Sequence, residues 1–234
     1  MEVRFRVQDT SAPRHQARQE HLPGYSARVS RLYLASSSPR RRRILREAGL
    51  EFTLLRPAPD PPAPASSNDP ARLAVSHAQH KALSACSPTA SGLVVGADTV
   101  VVLGRRILGK PYDRVTACRM LDSLSGRTHR VITGLAVYET SSRRTRTAAE
   151  ETAVTFKQLS PADIEHYLTS GEPFDKAGAY GIQGRASAFV TRISGSYLNV
   201  VGLPLARLLC LIAPERQADG RRASERAGCR ERMS

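Results

Sequence analysis

A long, valine-rich run from Leu93 to Leu103 is the feature that most limits the folds open to this chain of 234 residues. Its composition and length predict a buried β-strand. A shorter apolar segment, Leu32–Ala35, predicts a second buried strand, and a helical pattern starts directly after it. Because strands and helices alternate along the chain, we expect an α/β fold with a mixed sheet and flanking helices.

Residue patterns at the ends of these segments locate the other elements. Ser38-Pro39 and Ser160-Pro161 have the form of an N-cap followed by proline, and Asp113 is a third candidate N-cap. Helices are predicted at about 39–48, 69–85, 114–124, 161–170 and 204–211. Strands are predicted at 32–35, 93–103, 107–108, about 129–139 and about 146–158.

Composition divides the chain into one domain and two tails. Residues 1–30 mix polar and charged side chains with few large apolar ones, so we expect a disordered extension or the product of a start-site artefact. Residues 214–234 have the same character and are expected to form a disordered basic tail. The folded domain is expected over 31–213, with a proline-rich loop at 57–70.

Neither membrane insertion nor secretion is expected. The apolar runs fall short of the roughly 18 residues that span a bilayer, and no apolar stretch follows the charged N-terminus. The four cysteines are far apart and form no C-x-x-C pair, so neither disulfides nor a zinc site are expected. We therefore expect a protein of the reducing cytoplasm.

The net charge of +14 raises the question of nucleic-acid binding. The segments 1–30 and 215–234 contribute +2 each, which leaves +10 for the rest of the chain. That remainder is almost all arginine and is scattered, except at Arg40–Arg43 and Arg143–Arg146. Net charge by itself is a weak indication of function, so we do not expect nucleic acid as the partner.

The segment Ser36–Arg41 combines a strand end, a serine-rich turn and the start of a predicted helix. Free backbone N–H groups and the helix dipole favour an anion at such a place, and Arg40 and Arg41 could bind phosphate through paired hydrogen bonds. The alternative is that the serines are only caps and the arginines form a solvated helix face. The segment alone does not decide between the two.

Asp98 is a carboxylate inside the otherwise apolar strand 93–103. Because an unpartnered buried carboxylate is costly, Asp98 must be paired, bound to metal or protonated. Such residues are often functional, and a structural salt bridge is the alternative. In a regular strand the neighbouring Thr99 points to the opposite face, and a bulge would bring both side chains to one site.

Residues 175–184 form a glycine-rich, polar stretch with Gln183 near its end, a mixture typical of a binding loop. The chain has four lysines, of which Lys81, Lys110 and Lys176 are candidate functional amines. Lys176 also has Asp175 beside it, which would make a surface ion pair of little energetic value. His129 is a single histidine without metal-ligand spacing to another, which favours a structural hydrogen-bonding role.

Together these motifs resemble those of the Maf family of nucleotide pyrophosphatases, from about Arg31 to Leu211. The matching blocks are Ser36–Arg41, Lys81-Ala82, Gly96–Val100, Gly109–Pro111, Leu124–Gly126, His129, Thr133-Gly134, Asp175–Gly184 and Gly195–Pro204. The resemblance implies two lobes around a deep cleft and, in many members, a homodimer. It also implies hydrolysis of nucleoside triphosphates between the α and β phosphates with a divalent cation, Mg²⁺ or Mn²⁺.

The resemblance further implies roles for individual residues. Asp98 falls on the family's proposed general base. Arg41, Lys81 and Lys110 fall on its phosphate-binding cations, and Ser38 and Lys176 are further candidate substrate contacts. Three positions that distinguish subfamilies look like the branch that prefers dTTP and UTP rather than 7-methyl-GTP, and they are Arg40, Thr99 and Gln183.

The region after the first helix and strand departs from the family pattern. An acidic pair is usual there, whereas this chain has Arg56-Pro57-Ala58-Pro59-Asp60-Pro61-Pro62, with Asp60 as its one carboxylate. If the absent acid helps to bind metal, the affinity for Mg²⁺ falls. Asp175 would then join Asp98 as a metal ligand.

We therefore expect an enzyme that releases pyrophosphate from dTTP, UTP and modified pyrimidine nucleotides. One alternative is a non-catalytic, nucleotide-binding regulator of septum formation and cell division, which would bind nucleotide without turnover. The other is a nucleic-acid-binding protein, which would show steep salt dependence and no preference among mononucleotides.

Overall fold

A computed structural model describes residues 31–59, 61, 69–86 and 91–213 of the chain. The predictions for 1–30 and 214–234, and for most of the loop at 57–70, lie outside these residues. No helix in the described ranges is both long and apolar enough to cross a bilayer.

Seven strands in one mixed sheet and six α-helices make up the described domain, which confirms the predicted α/β class. The strands are β1 Leu32–Ala35, β2 Thr53–Leu55, β3 Leu93–Leu103, β4 Arg106–Leu108, β5 Thr128–Glu139, β6 Arg144–Phe156 and β7 Val190–Ser194. The helices are α1 Pro39–Glu47, α2 Pro70–Ser84, α3 Arg114–Leu124, α4 Pro161–Leu168, α5 Tyr197–Val201 and α6 Leu205–Ile212. Short 3₁₀ helices at Glu172–Asp175, Ala177–Ala179 and Arg185–Phe189 connect α4 to β7.

Most predicted elements are confirmed to within two residues, and β1 and β3 have the predicted bounds. Ser38 occupies the N-cap of α1 as predicted, but its hydroxyl makes no capping hydrogen bond. Asp113 caps α3 by accepting from the Thr116 backbone N–H at 2.6 Å, and Ser160 and Asp163 form a reciprocal capping box at α4. Three short elements, β2, β7 and α5, were not predicted.

The sheet order is β2-β1-β3-β5-β6-β7, with β4 paired to β3. β1 is parallel to both of its neighbours, whereas β4, β5, β6 and β7 pair in antiparallel fashion. On the side away from β5, β3 pairs with β1 as far as Gly96 and with β4 from Val101 onward. Between these two partners, residues 97–100 pair only with β5 among the described residues, which leaves a gap beside the middle of β3.

Helix α2 packs closely on β3 and β5 because two glycines face it. A Cβ on Gly96 would come within 2.0 Å of the Ala78 carbonyl oxygen, and a Cβ on Gly134 within 2.2 Å of the Ala74 carbonyl carbon. Only glycine permits such an approach. The helix side of the contact is also small, since Ala74, Ala78 and Ala82 are fully buried. This packing sets the distance between α2 and the strand that contains Asp98.

His129 lies in a buried aromatic cluster, consistent with the structural role expected for it. Its ring meets Phe156 and Tyr180 edge-on, with centroids 4.9 and 5.3 Å away, and Nε2 is hydrogen-bonded to the Tyr180 hydroxyl at 2.8 Å. Burial lowers the pKa of the His129 imidazole to about 4. The ring is therefore neutral in the folded protein at neutral pH.

Acidification is expected to destabilise the protein through His129. In the unfolded chain the imidazole regains its ordinary pKa of 6.5, so between pH 6.5 and about 4 the unfolded state binds a proton that the folded state does not. The free energy of unfolding should therefore fall by about 3 kcal/mol as the pH drops through this window. Urea unfolding at stepped pH measures the effect.

Two histidine variants test the assignment of this pH dependence. His129→Gln, which keeps a polar group for Tyr180, should flatten the curve. His166→Gln, which removes an exposed imidazole from α4, should leave the curve as in the wild type. Equal slopes in all three proteins would show that another group is responsible.

Candidate active site

A cavity of about 990 Å³ opens at the gap beside the middle of β3. The chain leaves the parallel strands β1 and β2 at the same end of the sheet, so residues 36–41 and 56–59 both line the cavity. Residues 107–110 and 172–184 complete most of its lining. Ligands of open α/β sheets often bind outside the carboxyl ends of parallel strands.

Asp98 is held by two side chains of α2. Lys81 donates from Nζ to Oδ1 at 2.6 Å, and His77 Nδ1 lies 3.2 Å from Oδ2. The three side chains are only 13–15% exposed. The structure thus gives Asp98 the partners that burial requires, and one of them is Lys81, which was predicted to bind phosphate.

Asp98 and Thr99 point to opposite faces of β3, as expected for a regular strand. Asp98 contacts α2, whereas Thr99 contacts Arg41, and the pairing with β5 runs through both positions without a bulge. Both side chains nevertheless line the cavity. The gap beside β3 gives the cavity access to both faces of the strand, so no bulge is needed to bring them to one site.

The Arg41 side chain is buried and is oriented by three uncharged acceptors. Nε donates to the Gly202 carbonyl oxygen at 2.8 Å, Nη1 to Ser36 Oγ at 3.2 Å and Nη2 to Thr99 Oγ1 at 3.1 Å. These three hydrogen bonds fix the orientation of the guanidinium at the cavity. Of the two interpretations of the Ser36–Arg41 segment, a solvated helix face does not describe Arg41, which is 9% exposed.

The Gly195–Pro204 motif supports Arg41 from the other end of the chain. The Thr133 hydroxyl donates to the Asn199 carbonyl oxygen at 3.2 Å, so it must accept from the Thr99 hydroxyl at 2.9 Å. Thr99 in turn accepts from Arg41. A directed row of hydrogen bonds therefore runs from Arg41 to the backbone of α5.

Arg40, Asp175 and Lys176 form a charged network at the cavity. Arg40 donates to Asp175 Oδ2 at 3.3 Å, and Lys176 donates to Asp175 and, at 2.6 Å, to the Glu172 carbonyl oxygen. Burial raises the pKa of the Asp175 carboxyl, but hydrogen bonds and charges of Lys176 and Arg40 outweigh it and leave the pKa below its ordinary value. Asp175 is therefore ionised at neutral pH and contacts two cations.

The other predicted substrate contacts are less constrained. Lys110 and Gln183 are exposed where they line the cavity, and their side chains make no hydrogen bond within the described part of the chain. Ser38 is half-buried, and its backbone N–H donates to Ser36 Oγ at 3.2 Å. The Lys110 amine and the Gln183 amide are thus available to a ligand.

Positive charge predominates in the cavity lining. Six lysine and arginine residues and three acids line it, a difference of +3. The cations are Arg40, Arg41, Arg56, Lys81, Lys110 and Lys176, and the acids are Asp98, Glu172 and Asp175. A concave, cationic surface concentrates polyanions. The arrangement can bind a polyphosphate and present a carboxylate to it.

Three charged or histidine residues of the lining were not singled out as functional from the sequence. They are His77, Arg56 and Glu172. His77 had a usable signal, because its spacing of four residues from Lys81 puts both side chains on one face of α2. Arg56 follows a strand of three residues, and Glu172 lies in a 3₁₀ helix, so neither had a recognisable pattern around it.

Carboxylate oxygens are the main ligands that the cavity offers to a divalent cation. Within the described ranges, no three His, Cys, Asp or Glu residues are grouped closely enough to enclose a metal. Asp60, the one acid in the segment 56–62 that departs from the family pattern, lies outside those ranges. Mg²⁺ is commonly held by one or two carboxylates together with substrate phosphates. Asp98 and Asp175 therefore remain the predicted ligands of a cation that would arrive with the nucleotide.

Comparisons with known proteins identify the family of the chain. The family model described as Maf-like protein matches residues 31–214. The chain is 47% identical over 180 residues to a dTTP/UTP pyrophosphatase of Pelotomaculum thermopropionicum, an alignment that covers 77% of this chain and 94% of the relative. It is 46% identical to a dTTP/UTP pyrophosphatase of Symbiobacterium thermophilum, with coverage of 79% and 93%. For a dTTP/UTP pyrophosphatase of Bacillus cereus the identity is 44% and the coverage 77% and 93%.

The extent of these matches decides the family. The matched range 31–214 includes every strand and helix that the structure describes, together with the whole lining of the cavity. The relatives are aligned over more than nine-tenths of their own length. This chain therefore belongs to the Maf family.

Proposed function

We propose that this protein is a nucleoside triphosphate pyrophosphatase. It hydrolyses the α–β phosphoanhydride of dTTP, UTP and modified pyrimidine nucleotides to a monophosphate and pyrophosphate. The observation that carries the proposal is Asp98, a part-buried carboxylate held by Lys81 and His77 within a cationic cavity. The relatives' names, dTTP/UTP pyrophosphatase, supply the reaction and the substrate class.

The cavity cations bind and neutralise the triphosphate. Arg41 is oriented by protein acceptors before a ligand arrives, so little conformational freedom is lost on binding. Lys110 adds an amine that makes no hydrogen bond to the described residues. Such preorganised cations also stabilise the negative charge that moves onto the leaving pyrophosphate in the transition state.

Asp98 acts on the attacking water. The carboxylate accepts a proton from the water while the water oxygen attacks the α phosphorus. The bond between that phosphorus and the α–β bridging oxygen breaks, and the bridging oxygen leaves with pyrophosphate. The nucleoside monophosphate keeps the oxygen that came from water.

A divalent cation, Mg²⁺ or Mn²⁺, is part of the proposal. Asp98 would hold it together with phosphate oxygens, with Asp175 as the second candidate ligand. When bound, the cation supplies further charge neutralisation at the phosphates.

Base selection is assigned to Gln183, Thr99 and Arg40. The Gln183 amide offers one donor group and one acceptor, which suits the polar edge of uracil or thymine. Thr99 would act through Arg41, because its hydroxyl is already hydrogen-bonded to Arg41 and Thr133. Arg40 would release Asp175 when it engages the nucleotide, since the two form an ion pair in the structure described here.

Pyrophosphate release from UTP, dTTP, CTP, GTP and ATP, with Mg²⁺ or Mn²⁺, tests the proposal. We expect turnover of UTP and dTTP with kcat/KM at least about tenfold above the purine nucleotides, and monophosphate plus pyrophosphate as products. Release of orthophosphate and a nucleoside diphosphate would contradict the assigned bond. Nucleotide binding without turnover under either metal would favour the non-catalytic regulator.

No contact among the described residues favours that regulator over the enzyme. The homodimer and the cytoplasmic location stay predictions, and so does the absence of nucleic acid among the partners. Salt dependence of nucleotide and single-strand binding would test the last of these.

A further inference from the structure

His77 has two nitrogen atoms in contrasting environments. Nδ1 lies 3.2 Å from Asp98 Oδ2, whereas Nε2 is buried without a hydrogen-bond partner among the described residues. Because a carboxylate oxygen can only accept, Nδ1 must carry the proton in this contact. The imidazole thus has one defined polar contact, and that contact is to the carboxylate of the proposed reaction.

The unpartnered Nε2 is an energetic cost of having histidine at this position. Burial of an unpaired polar atom lowers stability, and an apolar side chain of similar size would avoid this penalty. The side chain is 14% exposed, so solvent does little to relieve it. What histidine offers at this position, and an apolar residue does not, is the hydrogen bond to Asp98.

The contact complements that of Lys81. His77 and Lys81 are separated by four residues on α2, and they bind different oxygens of the same carboxylate. A lysine amine on a flexible stem fixes one oxygen but leaves the carboxylate free to rotate about that contact. A second donor on a rigid ring stops the rotation.

We propose that His77 is a positioning residue, which fixes the orientation of the Asp98 carboxylate so that its remaining lone pairs face the bound nucleotide. The proposal rests on the proposed function, in which Asp98 acts on water. His77 itself does not touch the reacting atoms. Its contribution should therefore appear in the chemical step rather than in nucleotide binding.

Two substitutions separate positioning from packing. In His77→Asn, the amide nitrogen takes a place close to that of Nδ1 and the buried Nε2 is absent, so kcat for UTP should stay within about threefold of the wild type. In His77→Leu the donor is lost, and kcat should fall roughly 10- to 100-fold while KM changes less than about threefold. Thermal unfolding of His77→Leu should occur close to the wild-type temperature, because the loss of the hydrogen bond to Asp98 is offset by removal of the unpaired Nε2.

Several results would overturn the proposal. An unchanged kcat in His77→Leu would do so, as would an equal fall in kcat in both variants. A fall in kcat accompanied by a lower unfolding temperature would also do so, because it would point to lost packing. Crystal structures of the wild type and both variants provide a readout that does not depend on turnover. We expect the Asp98 side chain to keep its orientation in His77→Asn and to rotate or become disordered in His77→Leu, and the same orientation in all three would refute a positioning role.

The design also distinguishes this inference from the proposed function. If the wild type releases no pyrophosphate from any nucleotide, the proposed function fails, and the orientation of Asp98 in the crystal structures still decides whether His77 positions it.

Discussion

Replacement of Asp98 by asparagine is expected to lower kcat for pyrophosphate release by about 10²- to 10⁴-fold, the usual contribution of a general base. The amide has the shape of the carboxylate but cannot accept a proton from water. Nucleotide should still bind, because the change removes a negative charge from a cavity whose lining already has a surplus of +3. Single-turnover kinetics and titration with a non-hydrolysable UTP analogue measure the two effects separately.

Asp175→Asn is the matched control, since Asp175 also lines the cavity and, like Asp98, accepts a hydrogen bond from a lysine. Its side chain is 62% exposed, against 15% for Asp98, and we expect a loss in kcat of less than about tenfold. An equal fall in kcat in the two variants would indicate that Asp98 and Asp175 both bind the metal, and that Asp98 is not the general base. Loss of nucleotide binding in Asp98→Asn would contradict the assignment, provided that the variant is folded.

Replacement of Gly134 by alanine is expected to cause the largest loss of stability, about 3 kcal/mol. The added Cβ would lie 2.2 Å from the Ala74 carbonyl carbon and 2.3 Å from the Val75 nitrogen, so backbone must move. The unfolding temperature should fall by roughly 6–12 °C for a domain of this size. Because α2 also positions His77 and Lys81, kcat should fall well below the wild-type value at temperatures where the variant is folded.

Gly109→Ala provides the control for this prediction. A Cβ at Gly109 meets no atom within 4 Å, and its φ lies outside the left-handed region. Its unfolding temperature should stay within about 2 °C of the wild type, as for substitutions that create no clash. A similar loss in both variants, measured by calorimetry, would show that close packing of α2 is not what glycine provides at Gly134.

The sequence predicted the long elements because their patterns are local. The bounds of β3 follow from one apolar run, and the start of α3 follows from Asp113, whose carboxylate accepts from the first turn. β2 was missed because three residues, all exposed or half-buried, leave no periodicity. β7 and α5 have five residues each, and the exposed Thr191 and Arg192 of β7 further weaken its apolar pattern.

The candidate site was predictable in its residue types but not in its pairing. Asp98 had to have partners because of burial, and the structure supplies Lys81 and His77. No local pattern could have shown that Lys81 binds Asp98. Likewise, Arg41 depends on Gly202, which lies 161 residues away in the chain. Contacts of that range follow from the sheet order, which the sequence did not determine.

The gap beside β3 has a consequence for how this domain behaves in solution. Within the described residues, 97–100 of β3 have no strand on one side, and unpaired edges of this kind invite pairing with strands of other molecules. Here residues 98–100 line the cavity, and segments 36–41 and 107–110 lie around them. The walls of the cleft thus keep strands of other molecules away from this aggregation-prone edge of β3. A nucleotide bound in the cleft would shield the edge further.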